Sequence, residues 1–148
     1  MGAAVTKAQL ALTLLIDTGP FVAYLDRGER EHEAIALIID GFTGILCTTS
    51  AVITEAMHMV EGDRAGPRRL ADFVHAARIQ VFECAQPERL PPAVSLMEKY
   101  ADTPMDFADA TLVLLAEEIG TRRILTLDRR GFGVFRTRNG KRFEVVPG

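Results

Sequence analysis

Acidic side chains stand at two points where apolar segments of the chain end. Asp17 ends the segment LLID, and Asp128 ends the segment ILTLD. Ligands of parallel sheets bind at the carboxyl ends of the strands, so acids in such places are candidates for a metal site. Each acid also has a structural alternative, because Asp17 suits the N-cap of a following helix and Asp128 suits a turn.

Three further acids lie on segments that are predicted to be helical. Asp106 and Asp109 form the motif DFAD, in which Asp106 suits the N-cap and Asp109 the third position of a capping box. Helical spacing places Asp109 on the apolar stripe, where a carboxylate needs a partner or a cation. Glu55 lies where an apolar helix face meets a narrow polar edge, and a solvated position is its structural alternative.

The elements that must position these acids alternate along the chain. Strands are predicted over 12–17, 45–49, 78–83 and 123–127, with a short edge strand over 143–146, and helices over 20–26, 31–42, 51–61, 66–77, 91–100 and 107–119. The strands lack polar–apolar alternation, which is typical of strands buried on both faces. This order predicts an α/β fold with a mainly parallel sheet of four to five strands.

The composition favours one globular domain over residues 1–148, since 48% of the residues are hydrophobic and 25% are charged. Cys47 and Cys84 lie in apolar contexts without a CxxC motif, which predicts free buried thiols in a reducing compartment. The apolar segment over 8–16 is too short to span a bilayer and lacks the features of a signal peptide. A cytoplasmic protein with no membrane partner is therefore expected.

The net charge of −3 conceals an uneven distribution of charge. Residues 121–148 carry eight Arg or Lys and two acids, a net +6, whereas residues 1–120 carry a net −9. This basic segment includes Arg129, Arg130 and Arg136. A solvated basic hairpin is one interpretation, and a surface that binds phosphate groups is the other.

Acids gathered at one sheet edge favour a bound divalent cation, because several adjacent carboxylates cannot all stay ionised without one. Oxygen-only ligands favour Mg²⁺ or Mn²⁺ over zinc. Such a metal beside a basic patch is suited to phosphodiester hydrolysis, since it generates hydroxide from water and stabilises the charged transition state.

Four ordered motifs resemble those of PIN-domain ribonucleases, and most of all the VapC-type toxins of bacterial toxin–antitoxin pairs. They are LLIDTGPFVAYLDRGEREHE, TTSAVITEA, DFADATLVLLAEE and RILTLDRRGF, and the resemblance runs over about residues 13–135. It implies a Rossmann-like α/β/α sandwich, a Mg²⁺ or Mn²⁺ cofactor and endonucleolytic cleavage of RNA. It also implies a homodimer and, in many cases, a small antitoxin protein as partner.

The resemblance assigns roles to individual residues. Its four catalytic acids map onto Asp17, Glu55, Asp109 and Asp128, and its supporting hydroxyls map onto Thr18 and Thr126. The implied metal ligands are Asp17, Asp109 and Asp128. Asp109 matches better than Asp106 because a small residue follows it seven positions later, and Asp106 stays open as either a further ligand or a helix cap.

Two positions depart from the family pattern. Gly19 stands where many relatives carry Asn or Ser. Many relatives also have a further acid just before the Phe of the last motif, where this chain reads RRGF over 129–132. The RNA-binding role of Arg129, Arg130 and Arg136 follows from the charge pattern, whereas the number of metal ions stays open.

Other classes of protein fit the sequence less well. The main alternative is a non-catalytic PIN-like module that binds RNA or protein, and retention of all four acids favours an enzyme over it. The pairs Glu29-x-x-His32 and Glu55-x-x-His58 are typical of di-iron proteins, but those require four long helices. A haloacid-type phosphatase would need an acid in place of Gly19. Which RNA is cleaved is not indicated.

Overall fold

A computed structural model describes residues 12–148, so part of the apolar segment over 8–16 lies outside it. Its five-stranded sheet has the order β3-β2-β1-β4-β5, with all pairs parallel. The strands are β1 (Thr13–Ile16), β2 (Ile45–Thr49), β3 (Gln80–Phe82), β4 (Arg123–Leu125) and β5 (Glu144–Val146). The predicted α/β fold with a mainly parallel sheet of four to five strands is confirmed.

Seven α-helices flank this sheet within residues 12–148. They are α1 (Thr18–Leu25), α2 (His32–Gly41), α3 (Ser50–Val60), α4 (Gly66–Ala76), α5 (Leu90–Lys99), α6 (Phe107–Ile119) and α7 (Arg129–Val134). The first four pack on one another, and α5 packs on α6. Right-handed crossovers place these two groups on opposite faces of the sheet. None of the described helices has the length and apolar character needed to cross a bilayer.

Strand β1 occupies the centre of the sheet, and all four of its residues are buried. This burial on both faces explains the continuous apolar run in the sequence. The chain leaves β1 towards β2 on one side and later returns to β4 on the other. The strand order therefore reverses between β1 and β4, and open parallel sheets bind ligands in the crevice at such a switch point.

Helix α6 begins and ends as its sequence predicts. Asp106 and Asp109 form a capping box, in which each backbone N–H donates to the other residue's carboxylate. Gly120 ends the helix in the left-handed conformation with φ 74°, which glycine adopts without steric cost. The expected free thiols are also confirmed, since Cys47 and Cys84 are buried and form no disulfide.

Helix α7 was not expected from the sequence, which indicated a turn after Asp128. Two glycines within six residues leave little periodic signal for a helix. In the structure the Asp128 side chain accepts a hydrogen bond from the Gly131 N–H at 2.9 Å and so caps the helix. Phe132 and Phe135 are fully buried with ring centroids 5.2 Å apart, so core packing stabilises a segment that local propensity does not.

The close approach of β1 and β2 makes a testable prediction at Gly44. A Cβ atom there would lie 1.7 Å from the Leu12 carbonyl oxygen, which accepts the 2.8 Å hydrogen bond of Ile45 that opens the strand pair. Gly44→Ala is expected to lower the free energy of unfolding by about 2–4 kcal/mol, because backbone must shift. The matched control is Gly41→Ala, where a Cβ meets nothing within 4 Å. Urea denaturation of both variants measures the difference, and equal stabilities would contradict the proposed contact.

Candidate active site

Asp17 follows β1 directly and lies at the switch point with only 8% of its surface exposed. Its Oδ1 accepts the Thr18 N–H at 2.8 Å, and its Oδ2 accepts the Thr126 hydroxyl at 2.7 Å. Burial raises the pKa of Asp17 to about 6, against the lowering effect of these two hydrogen bonds. The negative charges of Asp106 and Glu55 add smaller upward contributions.

Thr126 is a fully buried hydroxyl that connects the ends of β1 and β4. It donates to Asp17 and accepts the backbone N–H of Asp128 at 2.9 Å. The Thr126 hydroxyl thus links the backbone N–H of Asp128 to the carboxylate of Asp17. The Asp128 carboxylate itself is exposed and accepts the Gly131 N–H, so it lies at the rim of the site.

Glu55 comes to the same place from α3, the helix that follows β2. Its Oε2 accepts the Thr18 hydroxyl at 3.2 Å, and the side chain is half-buried. Thr18 and Thr126 therefore each donate a hydroxyl to a candidate carboxylate. Gly19, the departure from the family pattern, packs against the Leu127 side chain, which lies 3.3 Å from where a Cβ would stand.

Asp106 and Asp109 bring the first turn of α6 to this group. Burial raises the pKa of Asp109 well above its ordinary range, and the charges of Asp106 and Asp17 raise it further. These influences place Asp17, Glu55, Asp106 and Asp109 in one electrostatic group, which we call the carboxylate cluster. Asp128 is connected to the cluster through Thr126.

A second pair of hydroxyls supports the cluster and was not identified from the sequence. Thr49, at the end of β2, and Thr111, on α6, lie with their oxygens 2.9 Å apart, and both are buried. This contact holds the first turns of α6 against the carboxyl end of the sheet. The sequence feature that could have indicated this pair is Thr111 within the apolar helix sequence ATLVLLA, because a buried polar side chain needs a hydrogen-bond partner.

The basic segment of residues 121–148 divides into two surfaces. Arg129 and Arg130 are exposed in the first turn of α7, next to Asp128. Arg136 donates to the carbonyls that end α7, including that of Val134 at 2.9 Å. Other members surround a separate cavity of about 410 Å³ near the end of α6, namely Arg122, Arg138 and Lys141. The segment therefore does not form one continuous basic track at the candidate site.

The donor chemistry of the carboxylate cluster fits a hard divalent cation. Only oxygen ligands are offered, and without a cation both burial and like charge disfavour the ionised forms of Asp17 and Asp109. In residues 12–148 no group of three or more His, Cys, Asp or Glu side chains is arranged to hold an ion by itself. A fitting ion is thus one that completes its coordination with several waters, as Mg²⁺ does.

This sheet order defines an α/β domain whose acids gather at the switch point of a parallel sheet, and comparison with known proteins shows the family to which it belongs. The family model for the PIN domain matches residues 14–136, so the chain belongs to the PIN-domain family. Ribonuclease VapC26 of Mycobacterium tuberculosis is 34% identical over 140 residues, which cover 90% of this chain and 100% of that relative. Within the family the chain is thus a VapC-type PIN ribonuclease.

Solved structures show the same fold at lower sequence identity. VapC20 of Mycobacterium tuberculosis, described as a toxin that cleaves the sarcin–ricin loop, matches with a TM-score of 0.68 and 15% identity over 78% of this chain and 90% of that chain. VapBC2 of Rickettsia felis, bound to a DNA fragment from its promoter, matches with a TM-score of 0.62 and 13% identity over 90% of this chain and 98% of that chain. These likenesses confirm the predicted PIN-like sandwich.

The bridging hydroxyl of Thr126 provides a test of the site's electrostatics. Thr126→Val removes the hydrogen bond that lowers the pKa of Asp17, so that pKa is expected to rise further. Unfolding free energy should fall by ~1–3 kcal/mol, and by more at pH 8 than at pH 5, because the lost bond stabilises the ionised carboxylate. Thr126→Ser keeps the hydroxyl and is the control. Carboxyl-carbon NMR titration and urea denaturation measure both effects, and an unchanged Asp17 titration in the valine variant would contradict the bridge.

Proposed function

We propose that this chain is a divalent-metal-dependent endoribonuclease that acts as the toxin of a toxin–antitoxin pair. Its membership of the VapC-type ribonucleases supports RNA as the substrate. The observation that carries the chemistry is the buried Asp17 carboxylate at the switch point, surrounded by the other acids of the cluster. We further propose that residues 1–148 form one PIN-like domain.

Asp17 and Asp109 are the proposed principal ligands of Mg²⁺ or Mn²⁺, because their ionised forms have the most to gain from a cation. Asp128 lies at the rim as a third proposed ligand, and Asp106 is a further candidate within the cluster. A bound ion would supply a hydroxide nucleophile and stabilise charge on the phosphate.

The chain's own residues prepare the site for a nucleic acid. The Thr126 and Thr18 hydroxyls hold the Asp17 and Glu55 carboxylates in place before substrate arrives. Glu55 is proposed to orient the attacking water, since it lies at the open side of the cluster and is only half-buried. Arg129 and Arg130 are proposed to offset the repulsion between the acids and the RNA backbone. Arg136 would contribute less, because carbonyls at the end of α7 engage its guanidinium.

The biological setting is proposed from the relatives. A structural neighbour that contains VapB and VapC together supports a small antitoxin protein as partner. A homodimer and a cytoplasmic location are proposed on the family resemblance. A non-catalytic PIN-like module that binds RNA or protein is the competing function, and metal-dependent cleavage of RNA by the pure protein separates the two.

Replacement of Asp17 tests whether this residue is needed for RNA cleavage or for stability of the fold. Asp17→Asn should abolish RNA cleavage without lowering stability at pH 8, because removal of a buried charge offsets one lost hydrogen bond. The folded-state pKa of about 6 exceeds the unfolded value of 3.8, so ionisation of Asp17 costs stability as pH rises through that window. The wild type should therefore lose about 1–3 kcal/mol between pH 4 and pH 7, and the variant should lose less.

Thermal unfolding with and without Mg²⁺ or Mn²⁺, together with gel assays of cleavage, measures these effects. Metal should raise the thermal midpoint of the wild type more than that of the variant, since binding to the folded state stabilises it. If the Asp17→Asn variant still cleaves RNA and has a lower thermal midpoint, Asp17 acts as a helix cap and not as a catalytic residue.

Removal of the two arginine charges at the start of α7 tests whether this helix contributes to RNA binding. Replacing Arg129 and Arg130 together by Ala should weaken RNA binding and reduce the slope of log affinity against log salt by about 1–2, because phosphate contacts release counterions. Cleavage positions should stay the same, since phosphate contacts carry no sequence information. The control removes the exposed Arg64 and Arg68, which lie beyond the far end of α3. Equal slopes in all three proteins would exclude α7 from RNA binding.

A further inference from the structure

A cavity of about 460 Å³ opens beside the carboxylate cluster. Its walls come from the start of α3, the residues that follow β3 and the start of α6. Glu55 and Asp106 belong both to this cavity and to the cluster. If an RNA phosphate lies at the cluster, the base of the same nucleotide is close enough to enter the cavity.

The two carboxylates in the cavity wall disfavour a phosphate group as its occupant, and His58 is the one basic side chain that lines it. No Lys or Arg lines it, whereas two carboxylates do. Much of the remaining wall is apolar and comes from Ala51, Ala85, Phe107 and Cys84. A neutral, flat, partly apolar group fits these walls, and its volume lies in the range of pockets that bind small ligands.

Phe107 gives the cavity an aromatic surface. Its ring is half-buried, and it is absent from the ring–ring contacts found among residues 12–148. Other phenylalanines, such as Phe132 and Phe135, pack on aromatic neighbours. Unstacked RNA bases bind preferentially on aromatic side chains of this kind.

Apart from His58, whose ring nitrogen lies 3.6 Å from the Glu61 carboxylate, the polar side chains of the cavity offer mainly acceptors. The Thr54 hydroxyl donates to the Ser50 carbonyl at 2.9 Å, which leaves its lone pairs available. The Ser50 hydroxyl and the Cys84 thiol lie 3.2 Å apart and satisfy each other. With the carboxylates of Glu55 and Asp106 added, these walls are better suited to a group that presents N–H donors than to one that presents carbonyls.

We propose that this cavity is the subsite for one nucleobase next to the scissile phosphate, and that it prefers a base with an exocyclic amino group over uracil. The proposal rests on the proposed ribonuclease function and specifies how that function selects its substrate. Phe107 stacks on the base, and the acceptors at the rim receive its amino protons. Phe107 is thus a specificity residue rather than a catalytic one.

Cleavage of an RNA pool with randomised sequence, followed by sequencing of the new ends, tests the subsite. The wild type should show a preference at one position flanking the cut, with uracil disfavoured there. Phe107→Leu keeps an apolar side chain but removes the ring that holds the base against the acceptors. Without that stacking the acceptors no longer discriminate, so this preference should weaken about fivefold or more while other positions keep theirs. Phe42→Leu is the matched control, because Phe42 is also half-buried yet lies outside the cavity.

A second variant guards against a folding defect in Phe107→Leu. Ala85 is exposed at the rim of the cavity, so Ala85→Leu narrows it without entering the core. It should weaken the same base preference with an unchanged thermal midpoint.

Binding without cleavage gives an independent measurement. Oligonucleotides carrying 2-aminopurine at the preferred position are titrated with Asp17→Asn protein, with and without Phe107→Leu. Stacking should quench the fluorescence, and loss of the ring should weaken binding about five- to 100-fold.

The outcomes separate the two hypotheses. If the wild type neither binds nor cleaves RNA, the ribonuclease function fails and the subsite fails with it. If RNA is cut but both cavity variants keep the wild-type base preference and quenching, the subsite alone is wrong. Loss of binding to a partner protein in those variants, with base preference unchanged, would likewise overturn the subsite.

Discussion

The burial of one carboxylate at the end of the central strand is the constraint on which this architecture depends. Asp17 has 8% of its surface exposed and cannot be solvated by bulk water. It is tolerated because a backbone N–H and the Thr126 hydroxyl donate to it. The Thr126 donor is in place only if β1 and β4 are adjacent and in register, so the strand order and the site's electrostatics require each other.

The acids at this edge serve the scaffold as well as the proposed chemistry. Asp17, Asp106 and Asp128 each cap the helix that follows, and Asp109 completes the capping box of α6. The amino ends of three helices therefore meet the carboxyl ends of the strands at one edge. Their partial positive charges favour carboxylates there, which is why several acids can be tolerated in one place.

Much of this arrangement follows from local sequence signals. The apolar runs predict the central strands, DFAD predicts its capping box, and Gly120 predicts the end of α6. The role of Asp128 was less accessible, because α7 depends on the burial of Phe132 and Phe135 rather than on a periodic pattern. The basic residues of the segment over 121–148 are close together in the sequence, but in the structure they lie at opposite ends of β4. The chain runs along β4 and returns through α7 and the loop after it before the parallel strand β5 begins, and charge counts along the chain do not record that return.

The cavity beside the cluster was also invisible to sequence analysis, for a topological reason. Thr54 lies on α3, Cys84 follows β3 and Phe107 begins α6, and no spacing rule connects them. Only the parallel sheet brings their segments to one edge. Residues that act through tertiary proximity can be predicted from a single sequence only when a family pattern marks them, and this pattern marks acids and hydroxyls.

Because the same aspartates cap helices and belong to the proposed metal site, their substitution has an evolutionary consequence. Asparagine caps helices about as well as aspartate does. A single Asp-to-Asn change at position 106 or 128 would therefore keep the helix start while removing a charge. Under the proposed function, descendants of such a chain would lose a metal ligand and retain their fold, so single charge-neutralising changes give a short route from an RNA-cutting protein to an inert one.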